Sequence, residues 1–207
     1  MTNLFVAYVA TYFLPLLFLS WRVAVIGLGL QGVLLAMLLA AHHGEWSWSG
    51  ALELASLLAI RAVFVPWYLY HLMHDHDLAE DFALISKNLA QWMFAFLLLV
   101  IAFSFGVSMS PDDPEEALQV GTATGSILVA MLILANQRHP LGQIIALLNF
   151  EGGVTLVELL SPHAVPPLVG VGISLTFVVF VLTCGPYLRR HAWMTARAED
   201  QPDGSDL

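Results

Sequence analysis

Glu53, Arg61, Glu151 and Glu158 stand in otherwise apolar stretches of this 207-residue chain, and Lys87 stands at the start of another. A carboxyl group in such surroundings can take up and release a proton, whereas a guanidinium keeps its proton and acts as a fixed positive charge. Acids placed near a buried cation are the makings of a proton relay. A second cluster, His71-Leu-Met-His74-Asp75-His76-Asp77, offers the imidazole and carboxylate groups that zinc takes. His71 and His74 are one helical turn apart, yet no second ligand cluster accompanies them, and such residues are ordinary where a helix leaves a membrane. Solvated interface is the reading adopted, so no metal and no cofactor is expected. Cys184 is the chain's one cysteine and lies in an apolar run, which excludes a disulfide scaffold and any Cys-x-x-Cys motif. The sequence has no Gly-rich phosphate loop, Ser/His/Asp arrangement or haem motif, and catalysis by the chain alone is not expected.

The composition explains why those charges matter. Hydrophobic residues make up 58% of the chain and charged ones only 11%, against about a quarter charged in soluble domains. Mean hydropathy is +0.78, and the charges are gathered so that long uncharged stretches remain. A soluble globule is excluded. The net charge of -9 and the lack of any basic patch argue against nucleic acid as a partner.

Seven stretches read as helices near the length a bilayer requires: about 3–20, 23–41, 50–73, 87–108, 117–136, 140–160 and 166–188. The expected fold is all-α, a single transmembrane domain over residues 1–198 followed by an acidic, apolar-poor tail over 199–207 that reads as disordered. No basic residue precedes the first apolar run, so helix 1 is expected to be retained rather than cleaved as a signal. Apart from Arg61, the basic residues Arg22, Lys87, Arg138, Arg189, Arg190 and Arg197 all fall on one side of a seven-helix arrangement. That side is expected to be cytoplasmic, with the N-terminus outside, in a cell inner membrane. Trp46, Trp48, Trp67, Tyr68 and Tyr70 read as interfacial anchors, and Gly27, Gly29, Gly32, Gly121 and Gly125 as sites of close helix packing. No internal repeat of the kind that builds a transporter's substrate site is visible.

Within this frame the charges have depths. Arg61 lies near the middle of helix 3 and Glu151 near the middle of helix 6, where an ionisable residue costs at least roughly 2.5–3.5 kcal/mol to insert. Glu53 to Arg61 is about 12 Å of rise, and Glu151 to Glu158 about 10.5 Å. Helices 3 and 6 run in opposite senses, so Arg61 and Glu151 form a central tier and Glu53 and Glu158 an outer one, with Lys87 at the inner mouth of helix 4. Glu151 and Glu158 share a face, about 20° from eclipsed, while Glu53 and Arg61 are about 80° apart and cannot pair directly. Pro66 is expected to free the carbonyl of Ala62, and Gly152-Gly153 to loosen helix 6 beside Glu151. A static ion pair that staples two helices is the alternative to a relay.

The run Asn136-Gln137-Arg138-His139-Pro140-Leu141-Gly142-Gln143-Ile144-Ile145, leading to Asn149-Phe150-Glu151-Gly152-Gly153, resembles hydrogenase-4 component E. That family is similar, over its last three helices, to the K subunit of complex I and the C subunit of Mrp-type sodium/proton antiporters. The resemblance implies that Glu151 is the family's proton-path carboxylate. Arg61 before Val65-Pro66 looks like a position the family usually fills with Lys, and Ser174, with Thr176 nearby, stands where the family often has an acid. It also implies a small, non-catalytic membrane subunit of a complex I-related, ion-translocating assembly, beside larger antiporter-like subunits. Hydrogenase subunits are the further partners in one version. In another, a zinc carbonic-anhydrase-like protein belongs to a proton-driven inorganic-carbon uptake complex. A non-conducting scaffold, and a metal-dependent enzyme using His71, His74 and Asp75, are the competing classes.

Overall fold

A computed structural model of the chain describes residues 2–17, 20–42, 48–74, 89–137, 140–160, 171–172, 175–176 and 178–187. All regular structure among the described residues is helical. The helices are α1 (Thr2–Leu17), α2 (Trp21–His42), α3 (Trp48–Leu57, Leu58–Phe64 and Val65–His74 in continuous succession), α4 (Leu89–Met109), α5 (Pro114–Asn136), α6 (Pro140–Leu160) and α7 (Val178–Tyr187). Those of α1 to α6 lie where the apolar stretches predict, with ends displaced by a few residues. The tail 199–207 lies outside the described residues.

Four of them, α2 to α5, are long and apolar enough to cross a membrane. At about 1.5 Å per residue, the 21 residues of α4 match a hydrocarbon core of about 30 Å. The described parts of α1 and α7, 16 and 10 residues, are shorter than that. Gln143, Asn149, Glu151 and Glu158 dilute the apolar character of α6, which is not one of the four.

Helix ends follow local chemistry. The start of α5 lies at Pro114, three residues before the expected position, because Asp113 caps it. Its side chain accepts from the backbone N–H groups of Glu115 at 2.9 Å and Glu116 at 3.2 Å. Proline in the first turn sacrifices no hydrogen bond, and the two glutamates oppose the positive end of the helix dipole.

The middle of α3 departs from expectation more instructively. Leu58–Phe64 is a π-helix, and the backbone N–H of Val65 donates to the carbonyl of Ile60, five residues back. Pro66 has no N–H to offer Ala62, so the α-helical ladder fails at this turn and the widened register replaces it. The expected loosening of α6 at Gly152-Gly153 does not occur, since Pro140–Leu160 is α-helical throughout. Those glycines instead admit neighbours. A Cβ on Gly153 would lie 2.7 Å from Cγ1 of Ile127 and 3.0 Å from Cβ of Ser126 on α5.

The core lies among α1, α2, α3, α5 and α6, where Tyr8, Leu35, Leu69, Ile133, Ile145 and Leu156 are all but fully buried. α2 packs on α1, on the π segment of α3 and on α6; α4 and α5 form a close hairpin, and α5 continues against α6. The outer faces of α3 and α4 are largely exposed, with Phe94, Leu97, Val100 and Ile101 pointing away from the bundle. Such a surface suits acyl chains or a further apolar subunit.

Gly32 sets the approach of α2 to the π segment. A Cβ there would lie 2.8 Å from the backbone N of Ala62 and 2.9 Å from the carbonyl carbon of Arg61, both rigid. Gly32→Ala is therefore expected to lower stability by about 1–3 kcal/mol, measured as unfolding at increasing fractions of denaturing detergent. Gly50→Ala, whose Cβ would meet nothing within 4 Å, is expected to keep its stability or gain up to about 1 kcal/mol, since alanine loses less backbone entropy in a helix. Equal stability of the two variants would contradict the close approach.

Candidate functional site: a buried ion pair beside a cavity

Arg61 is the middle residue of α3 and lies within its π segment. Its side chain crosses to α6, where Nη2 forms an ion pair with Oε1 of Glu151. The two side chains are 10% and 19% exposed, so the charges are largely withdrawn from the surroundings. Arg61 Nη2 also donates to the hydroxyl of Thr155 at 2.9 Å. That hydroxyl can accept because its own proton points to the backbone carbonyl of Glu151, 3.1 Å away, with a longer approach of 3.5 Å to Glu151 Oε1. Thr155 is thus a neutral second partner for the guanidinium, one helical turn beyond the acid.

A cavity of about 30 Å³ adjoins the pair. Its polar lining comes from four helices: Tyr8 of α1, Gln31 of α2, Arg61 of α3 and Glu151 of α6. Gly32 and Gly152 also border it; a Cβ on Gly152 would come within 2.8 Å of the Tyr8 hydroxyl. Three buried polar atoms have no hydrogen-bond partner among the described residues: Gln31 Nε2, Asn149 Oδ1 and Glu151 Oε2. Glu151 therefore has two different oxygens, one committed to Arg61 and the other without a partner. An acid held in this way has a lone pair open to a proton while a fixed cation stabilises its ionised form.

The structure brings together Arg61 and Glu151, the central tier expected from their depths. Glu158 continues the Glu151–Thr155 face and lies within electrostatic range of Arg61, although it does not line the cavity. Glu53 is half-buried in the first part of α3, and its backbone carbonyl accepts from the hydroxyl of Ser56 at 2.8 Å. Its angular offset from Arg61, reckoned for a regular α-helix, does not carry through the π segment. Lys87, Asp75, His76, Asp77 and Ser174 lie outside the described residues. Thr176 is exposed and donates to the carbonyl of Gly172 at 2.9 Å. His71 and His74 each stack on an aromatic ring one turn earlier, Trp67 and Tyr70, at centroid distances of 5.7 and 6.1 Å. Trp48, Trp67 and Tyr70 are exposed at the two ends of α3, as interfacial anchors would be.

Tyr8, Gln31, Asn149 and Thr155 escape a search for formal charges. Each was detectable as a neutral hydrogen-bonding group in an apolar stretch, and Thr155 also by its i+4 spacing from Glu151. A wider polar seam extends from here. The Tyr12 hydroxyl donates to the backbone carbonyl of Ser126 at 2.6 Å, joining α1 to α5. No family model, curated protein or solved structure matches the chain.

A buried pair makes a specific energetic prediction. Arg61→Met or Glu151→Leu alone leaves a buried charge uncompensated and is expected to cost about 3–5 kcal/mol. The double variant removes both charges and is expected to recover most of that loss. Unfolding of the four proteins in a double-mutant cycle checks this, and strictly additive losses would contradict a direct pair.

Proposed function

We propose that the chain is a small membrane subunit of a complex I-related, ion-translocating assembly of the membrane-hydrogenase or antiporter type, in which Glu151 takes up and releases a proton at mid-membrane. The observation that carries this reading is the asymmetry of the Glu151 carboxylate. Its Oε1 is neutralised by Arg61, its Oε2 is buried without a hydrogen-bond partner among the described residues, and the residue lines a cavity. A pair serving only to staple helices has no use for an unsatisfied oxygen, which is costly to bury. A group that exchanges protons needs one.

The surroundings accommodate both states of such an acid. Protonation of Glu151 weakens its attraction for Arg61, which keeps its hydrogen bond to Thr155 and remains within range of Glu158. Arg61 keeps its own proton, so it acts as the fixed charge that returns Glu151 to the ionised state. Glu158, Glu53 and Lys87 are assigned as further stations of the path. In this reading all seven helices cross the cytoplasmic membrane, N-terminus outside and C-terminus inside, because six of the seven basic residues then share one side. The exposed faces of α3 and α4 meet lipid and the larger antiporter-like subunits. The assembly is completed by hydrogenase subunits or, in a proton-driven inorganic-carbon uptake complex, by a zinc carbonic-anhydrase-like protein.

Glu151→Gln keeps the shape of the side chain and one acceptor oxygen but cannot carry the charge. In the intact assembly it is expected to reduce ion transport by at least about a hundredfold, the scale of a lost proton-transfer group, with subunit composition unchanged. Native transport rates in a fully assembled Glu151→Gln complex would contradict the proposal.

A further inference from the structure

Two of the three orphaned atoms belong to residues that line one cavity. Gln31 Nε2 is an amide donor from α2 and Glu151 Oε2 a carboxylate acceptor from α6, and both residues line the same cavity. Gln31 is 6% exposed, so bulk water does not satisfy it. Buried polar groups normally have partners, and two complementary orphans on one cavity call for a third body between them. That body must accept from an N–H and donate to an oxygen. A bare cation can do only half of this and is opposed by Arg61; an anion is opposed by Glu151. The cavity of about 30 Å³ suits one or two water molecules, each needing about 10–15 Å³. Gly152 and Tyr8 also line the space, packed so closely that a Cβ on Gly152 would run into the Tyr8 hydroxyl.

We infer that the cavity is a binding site for water held between Gln31 and Glu151, and that Gln31 is the positioning residue through which this water delivers protons to Glu151. The inference rests on the relay proposed above and adds its delivery arm. In the step itself, an O–H bond of a protonated cavity water breaks and a new O–H bond forms at Glu151 Oε2. Neutral water remains on the Gln31 amide, and the entering positive charge is cancelled by the carboxylate. The reverse transfer restores the Arg61–Glu151 pair. The Tyr8 hydroxyl, which can both donate and accept, borders the same space from α1.

The test uses the intact assembly with Gln31→Leu, which removes the amide and fills its volume, and Gln31→Asn, which keeps an amide one methylene shorter. Ion transport is measured beside infrared difference spectra taken on acidification, in ordinary water and in oxygen-18 water. The native assembly is expected to show a water O–H band sensitive to the isotope. Gln31→Leu is expected to lose that band and about a hundredfold of transport, and Gln31→Asn to regain part of both. An inactive Glu151→Gln beside a fully active Gln31→Leu would overturn the water site while leaving the relay standing. If both are active, the relay falls and this inference with it. Should Gln31→Leu not assemble, the native and Gln31→Asn spectra decide, and absence of the isotope-sensitive band from the native assembly overturns the site.

Discussion

Placing a guanidinium and a carboxylate together at the middle of a membrane-length bundle constrains everything around them. Neither charge is tolerable alone in hydrocarbon, where each costs at least roughly 2.5–3.5 kcal/mol. They sit on α3 and α6, and α2 packs against both. The pair closes where α2 is thin, with Gly29 and Gly32 against the backbone of Arg61 and Ala62 and the ring of Pro66. On the other side Gly153 lets α6 settle onto α5. The glycines are thus the means by which an internal electrostatic contact is reached with helices of ordinary diameter.

The π turn belongs to the same constraint. A residue added to one turn rotates the side chains that follow it relative to those before, and Arg61 sits where that rotation occurs. Pro66 makes the regular alternative poorer at this point, so the widened turn has a local cause as well as a use. Thr155 completes the arrangement at little cost, because its hydroxyl proton is already spoken for by the carbonyl of Glu151 and its lone pairs face Arg61. Three of the four polar residues of the cavity wall, Tyr8, Gln31 and Arg61, come from α1, α2 and α3, and the fourth, Glu151, from α6.

Much of this was legible in the amino-acid order. The helices followed from hydropathy, and the meeting of Arg61 with Glu151 followed from depth, because buried charges are too few and too costly to have many partners. The early start of α5 was also written in Asp113-Pro114-Glu115-Glu116, a capping signal that an apolar-run criterion passes over. The π segment was not legible, since a proline announces a lost hydrogen bond but not how the backbone absorbs it. Gly152 and Gly153 carried an ambiguous signal. Adjacent glycines permit either a looser helix or a closer neighbour, and only the positions of Tyr8, Ile127 and Ser126 decide for the latter. The neutral groups Gln31, Thr155 and Asn149 were hidden for a related reason: a polar side chain reveals its role only when the atom it faces is known.

A relay at this site requires Glu151 to change protonation while remaining Arg61's partner. Infrared difference spectroscopy of the native assembly across a pH cycle, with Glu151→Gln as the reference, reads this directly from the carboxyl C=O stretch. A protonated-acid band that grows and disappears reversibly is expected in the native protein and is missing from the reference. A Glu151 carboxylate signature that stays constant through the cycle, in an assembly still moving ions, would contradict it.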